Sequence, residues 1–513
     1  MLRVLLAAIG VATALQAGIA LNSVAMTPAG STWLGNSRMH PGDTAVYVSY
    51  LRQAQSGRFA LDNLYATEPH ARRFDPFWST AGRLMPQGTD PRIWLFALRL
   101  ATVAFLISAI AWSCSKTFGP ERGARGFILV LAGLGGGWAY AAFHGALGMN
   151  PIASIGPPDI ETMFSAFPAL FEAPHYAFSL ALQTFGAVGT WRWIQSRGRA
   201  DGLIGLGSFT ALLSFHPYFS PWYAAFAGIG LLNRARKPKF QDALLIFPAL
   251  PLAAIYLPLL LDPVFRIHHT QDNQLPFAPI SAWIMTSAPF VIAAAWRIWK
   301  RAPVMEAERW ALAWATASAF CLFIPVPWKR QFTQGLGPAL TLAAFPALDA
   351  AWSWTQSQTK TFSGSLMAAT LGFGLFLNPL SALASQAIAV SMPTLRPFFY
   401  TRNGAIDGWH ALERLTGPET TAITDDAWAN LWTPALALRR VWTGHDHETP
   451  EFSRKQKAWK NARDAGTDSF LAWASTSDIP SVFLTGHLPC PDKDPEGWRT
   501  AWRKDSLCIL IQD

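Results

Sequence analysis

The feature that most constrains this chain is a recurrence of long apolar runs between Val4 and Val390. A helix needs about 20 mostly apolar residues to cross a bilayer core. About eleven stretches approach that requirement: 4–24, 92–114, 126–146, 176–194, 203–215, 221–233, 243–261, 281–298, 309–324, 335–352 and 364–390. The two around Leu213 and Phe226 are short and share His216-Pro217-Tyr218-Phe219-Ser220-Pro221, so they form either two spans or one hairpin that dips or crosses. Backbone groups in lipid must be satisfied within the protein, which makes helices the natural spanning element for runs of this length. The expected fold class is therefore an α-helical polytopic membrane protein.

Charge placement then gives orientation. Only 14% of the chain is charged, against about a quarter in soluble domains. Its net charge of +9 would hint at nucleic acid if the basic residues clustered on a polar domain. They cluster instead at alternate span ends. With the N-terminus inside, the inner segments hold Arg3, Lys116, Arg122, Arg125, Arg192, Arg197, Arg199, Arg234, Arg236, Lys237, Lys239, Arg297, Lys300, Arg301, Arg309 and Lys360, while the short outer loops hold Arg266, Lys329 and Arg330. Lys and Arg stay cytoplasmic in short loops, so segment 25–91 and tail 391–513 are expected outside. Nucleic-acid binding loses its support. The first span ends near Ser23-Val24-Ala25, a small-x-small stretch that a signal peptidase could read; retention as an anchor is the favoured expectation.

The expected division is a transmembrane core over 1–390, including the outer loop 25–91, and an extracytoplasmic α/β domain over 391–513. In the loop, residues 46–54 read as a short amphipathic helix with Asp43 placed to cap it. In the tail, strands are expected at 421–424, 440–443, 481–484 and 507–511, with helices near 427–438, 451–465, 468–477 and 495–504. No Gly-rich phosphate loop occurs there. Cys490 and Cys508 share a compartment that permits a disulfide; they are either bridged or two free thiols.

Polar residues collect at the outer ends of the spans: Asp43 with the 63–75 run, Arg99, Asp159-Ile160-Glu161 through His175, His216, and Lys329-Arg330. A transporter would place such groups near the midplane on broken helices. Carboxylates can take a proton from an attacking hydroxyl, and guanidinium groups neutralise a phosphate leaving group. Asp43 is the candidate base, with helix capping as its plain alternative. Arg330 and Lys329 are the candidate phosphate clamp, or else interface anchors. Arg99 shares a helical face with Arg92 and reads as an anchor or a ligand contact, while His175 and His216 read as interfacial hydrogen bonders or site residues. His445 and His447 have no completing Cys or His at metal-ligand spacing, and capping of a following helix by Thr449 or Glu448 is the expected role of that segment. No cofactor is expected.

The span followed by an outer loop carrying Gly42-Asp43-x-x-x-Tyr47 resembles the membrane-embedded C-type glycosyltransferases (GT-C). A group of uncharacterised bacterial membrane proteins placed among these enzymes is more similar still. The motifs that carry the resemblance begin with Asp43-x-x-x-Tyr47-x-Ser49-x-x-Arg52-Gln53-Ala54 and Asn63-x-Tyr65-x-x-Glu68-Pro69-His70. They continue with Gly137-Trp138, Pro158-Asp159 with Glu161, Pro174-His175 and His216-Pro217-Tyr218. The last are Arg330-Gln331-Phe332-x-x-Gly335-Leu336 and Gly444-His445-x-x-Glu448-Thr449 with Lys455. The resemblance implies inverting transfer of a sugar from a polyprenyl-phosphate-linked donor to an acceptor, on the outer face of a bacterial cytoplasmic membrane. By it Asp43 is the base and Arg330 approaches the donor phosphate. Tyr47, Arg52, Asn63, Tyr65, Glu68, His70, Arg99, Asp159, Glu161, His175, His216 and Lys329 are the further expected substrate contacts. No second acidic residue adjoins Asp43, so a divalent metal gains no support. A flippase of lipid-linked glycans and a non-catalytic membrane scaffold are the alternatives.

Overall fold

The structure is a computed structural model. It describes residues 1–35, 41–133, 135–146, 158, 164–234, 237, 239–266, 278–326, 328–358, 365, 377, 379–381, 383–384, 392 and 396–513. Asp159, Glu161 and most of the expected last span lie outside these residues. The chain forms two compact units, neither continuous in sequence. One comprises Met1–Ala17, Ala97–Tyr256 and Gln274–Ser385; the other comprises Gly18–Phe96, Leu257–Asn273 and Gln386–Asp513. Compactness thus groups the outer loop with the tail, where a single cut at residue 390 would group it with the spans.

Among the described residues, four helical stretches are long and apolar enough to cross a membrane: Leu2–Ala25, Pro91–Phe118, Pro120–Phe143 and Phe240–Leu257. The third is broken, because Gly133 adopts φ 66° and ends the helix Pro120–Ala132 before Gly137–Ala146 begins. The other expected spans that fall among the described residues are helical but shorter or more polar. Ser220–Leu232 has 13 residues and reaches only about 20 Å at the helical rise; a 3-10 turn, Pro217–Phe219, joins it to Arg199–Phe215. Pro174–Ser196 is buried nearly all round, so it answers to neighbouring helices rather than to lipid. Its contact with Arg199–Phe215 is close because glycines line it: a Cβ on Gly189 would stand 2.6 Å from the Gly205 nitrogen. Small residues of this kind let helix backbones approach in membranes.

Ion pairs in this unit join segments that the charge distribution had assigned to one side. Arg122 and Arg125 contact Asp349 at 3.0 and 3.1 Å, Arg192 meets Asp201 at 3.1 Å, and Arg297 meets Glu308 at 2.6 Å. Arg197 and Arg234 share Asp242.

In the second unit a short strand β1 (Ser31–Trp33) pairs antiparallel with β2 (Tyr400–Arg402). The tail carries a five-stranded mixed sheet. Its strands are β3 (Thr421–Thr424), β4 (Arg440–Val441), β5 (Ser481–Leu484), β6 (Trp498–Lys504) and β7 (Leu507–Gln512), in the order β4-β3-β5-β7-β6. β3 runs parallel to both neighbours, while β7 is antiparallel to β5 and β6. Ile423, Trp459, Phe470, Val482, Trp498 and Leu510 belong to its core. The expected helix at 495–504 is instead strand β6. Lys504 pairs with Leu507 across Asp505-Ser506, and Asp505 takes φ 52°, so a tight hairpin turn decides the segment. Cys490 and Cys508 are joined by a disulfide.

Candidate functional site

The helix that carries Asp43 begins at Pro41 and ends at Gln55. Proline suits the start of a helix because its missing N–H would have had no helical partner. Asp43 therefore lies inside the first turn rather than at the cap, where a carboxylate favours the positive end of the helix dipole. Its Oδ1 lies 3.3 Å from Nε2 of His445, a residue of the tail. The His445 side chain is 6% exposed and that of Asp43 is 33% exposed. The backbone N–H of His447 donates to His445 Nδ1 at 3.1 Å, so in the neutral ring the hydrogen sits on Nε2 and is donated to Asp43. Burial opposes a charge on His445, yet Asp43, Glu448 and Asp446 outweigh it and raise its pKa above the ordinary value. Gly444 lets the Tyr65 ring come close: a Cβ there would stand 3.0 Å from it.

The remaining candidates of the loop also meet the tail. Tyr65 sets its ring 5.7 Å from that of His445 and donates its hydroxyl to the Leu431 carbonyl at 2.8 Å. Asn63 donates to the Glu448 carbonyl at 2.8 Å, and Glu68 binds buried Lys455 at 2.6 Å. Burial works against ionisation of Glu68, but the Lys455 ammonium holds its carboxyl below the usual range. Arg52 makes two contacts of 2.8 Å with Glu413 and a third to the Ala435 carbonyl. Tyr47 stacks on Trp78 at 4.6 Å.

His70 is held by two acceptors. Its Nδ1 meets the Glu68 carbonyl and its Nε2 meets Asp62 Oδ1, each at 2.7 Å. The Glu68 carbonyl only accepts, and Asp62 accepts when ionised, so this arrangement favours hydrogen on both ring nitrogens, the imidazolium form. Burial lowers its pKa, but Asp62 and the Glu68 carbonyl prevail and raise it. Asp62 also accepts from Arg440 at 2.8 Å; against the effect of burial, these partners depress its carboxyl.

The membrane unit gathers a second group. His175 opens the helix Pro174–Ser196, and His216 ends the helix Arg199–Phe215. Both are buried, their rings 5.2 Å apart and nearly perpendicular, flanked by Tyr176 and Tyr218. The turn Pro217–Phe219 packs on the 3-10 turn Lys329–Thr333, which brings Lys329, exposed, and Arg330, half-buried, into the same neighbourhood. Arg99 is 5% exposed on Pro91–Phe118.

Asp62, Glu413 and Arg440 are not singled out by the sequence, and His445 and Lys455 appear there only as motif residues without an expected site role. The tail motif around Gly444-His445 was the available signal, and it was read as a helix cap. The helix there begins at Phe452 after Glu451 in the left-handed conformation, without a side-chain cap, while the Thr449 hydroxyl accepts from the Gly444 N–H. Among the described residues no group of three His, Cys, Asp or Glu side chains could hold a metal ion.

No protein-family model and no curated protein matches the chain. Solved structures do. The oligosaccharyltransferase of Archaeoglobus fulgidus in its apo form aligns with a TM-score of 0.55 at 13% identity, over 93% of this chain and 69% of that one. ArnT from Cupriavidus metallidurans bound to undecaprenyl phosphate aligns at 0.53 and 11%, over 98% and 97%. The chain has the GT-C fold. A third structure of that fold, archaeal AglB from Archaeoglobus fulgidus with an inhibitory peptide and a dolichol-phosphate, aligns at 0.51 and 12%, over 92% and 69%.

Proposed function

We propose that this GT-C-fold membrane protein transfers a sugar from a polyprenyl-phosphate-linked donor to an acceptor hydroxyl on the outer face of a bacterial cytoplasmic membrane, with inversion. The observation that carries the reading is the end-to-end likeness to a structure that holds undecaprenyl phosphate. The disulfide between Cys490 and Cys508 supports an oxidising compartment for the tail. Asp43 is the base, Arg330 the donor-phosphate contact, and Lys329, His175 and His216 the neighbours that shape the donor's surroundings. Arg99, Asp159 and Glu161 stay with them as donor or acceptor contacts. In the loop, Asp62 is buried in ion pairs with His70 and Arg440, and Glu68 is committed to Lys455. Asp43 differs in being part-exposed, with the tail residue His445 as one of its hydrogen-bond partners.

In the step itself the acceptor oxygen forms a bond to the anomeric carbon from the face opposite the phosphate. The bond from that carbon to the phosphate oxygen breaks, and the polyprenyl phosphate leaves with the electron pair. The hydroxyl proton passes to Asp43, and the Arg330 guanidinium offsets the charge that gathers on the leaving phosphate.

Sugar transfer in proteoliposomes tests the reading. Asp43→Asn should fold normally and lose about 10²- to 10⁴-fold in rate, the range for a missing general base. Full activity in that variant would remove Asp43 from the chemistry.

A further inference from the structure

We propose that His445 is the positioning residue for Asp43: its Nε2–H holds the carboxylate so that its exposed edge meets the acceptor hydroxyl, which makes the tail a working part of the transfer site. The inference rests on the transferase reading above and adds to it a tail residue on which the rate depends.

The geometry is specific to this purpose. A base on a surface helix loses rate through rotamer freedom, and a directional donor removes that freedom. The 3.3 Å contact crosses 402 positions of sequence, and the ring that makes it is buried while the carboxylate is not. The ring is itself held: the His447 N–H selects the tautomer, Tyr65 packs on it, and Gly444 leaves the space that Tyr65 occupies. A simple link between loop and tail has no need of a selected tautomer, and the neighbouring links Arg52–Glu413 and Glu68–Lys455 are ion pairs without one.

The groups facing His445 are Asp43 and Tyr65 from the loop, and Asp446, His447 and Glu448 from its own segment. Protonation of the ring would convert a neutral donor into an imidazolium. An imidazolium beside Asp43 stabilises the carboxylate and weakens it as a base, so transfer should fall with falling pH as His445 takes up its proton.

The test uses the full-length protein in nanodiscs with a panel of undecaprenyl-phosphate-linked monosaccharides. His445→Ala should lower kcat by about 10- to 100-fold with the donor KM unchanged. His445→Gln, which keeps a neutral N–H donor, should restore most of that loss and remove the His445 limb from the pH profile. In parallel, histidine-selective 15N NMR should show the His445 pKa falling by about one pH unit in Asp43→Asn. The inference is overturned if Ala and Gln variants behave alike with wild-type pH profiles, or if the His445 titration ignores Asp43. If the wild type transfers no sugar, the transferase reading fails and the positioning role fails with it, whereas a His445 titration that still responds to Asp43 would retain the contact as a purely structural link.

Discussion

The two units of this protein solve the problem of buried polar groups in opposite ways. In the loop-and-tail unit, charged side chains far apart in sequence are brought together and paired: Asp62 with Arg440 across 378 positions, Glu68 with Lys455 across 387, and Arg52 with Glu413 across 361. In the membrane unit the helices meet through glycine and aromatic rings, and the ion pairs other than those on Asp349 stand near helix ends. Trp222, for example, donates to Ser318 at 3.0 Å in the interior, and Gly189 faces Gly205. A charge inside a bilayer is expensive at any pairing, whereas a water-exposed domain tolerates buried charge when each partner is satisfied. The comparison teaches that the loop's polar residues first assemble a domain, and that Asp43 stands out because it is part-exposed and meets a histidine of the tail rather than an arginine or lysine in the contact shown.

The comparison can be broken most sharply at Asp62, whose side chain is 1% exposed. Asp62→Ala leaves the His70 imidazolium and the Arg440 guanidinium without their shared carboxylate, and should cost about 3–5 kcal/mol in thermal unfolding. A change below 1 kcal/mol would show that the charged junction contributes little. In the membrane unit, Arg330→Ala should weaken binding of undecaprenyl phosphate by about 1.5–3 kcal/mol, the worth of a charge-assisted contact, and Lys329→Ala by less. Equal, small effects in a lipid-binding assay would return both to the role of interface anchors. Gly189→Leu should destabilise the helix pair by about 1–3 kcal/mol through overpacking while leaving the tail's disulfide intact on a non-reducing gel.

The smallest expected effect is a pH dependence confined to the charged unit. The folded pKa of His70 is raised, so its contribution is fully present below about 6.5 and is lost as pH rises through the folded value. The folded pKa of Asp62 is lowered, so its contribution is present above about 3.9 and is lost as pH falls through the depressed value. The difference in melting temperature between wild type and His70→Gln should therefore be largest near pH 5 to 6 and should narrow above it. A difference that stays constant to pH 9 would mean that the ring is not the imidazolium its two acceptors favour.

Sequence alone determined what depends on local composition. Apolar runs located helices, four of them, among the described residues, long and apolar enough to cross a membrane, because an unsatisfied backbone in lipid is costly within each run. Strands β3, β5 and β7 were legible from their β-branched and apolar character, and the GT-C resemblance from short ordered motifs. Tertiary structure decided the rest. β6 was misread because Trp498 to Lys504 has no strong local preference and takes its conformation from the hairpin with β7. The helix Ala405–Leu415 went unread, and with it Glu413, the partner of Arg52. Residue types such as Arg52, Asn63 and Glu68 advertise the capacity to bind charge or hydrogen-bond, but not with whom. That choice belongs to long-range packing, which gives these three partners in the tail and sets His445 against Asp43.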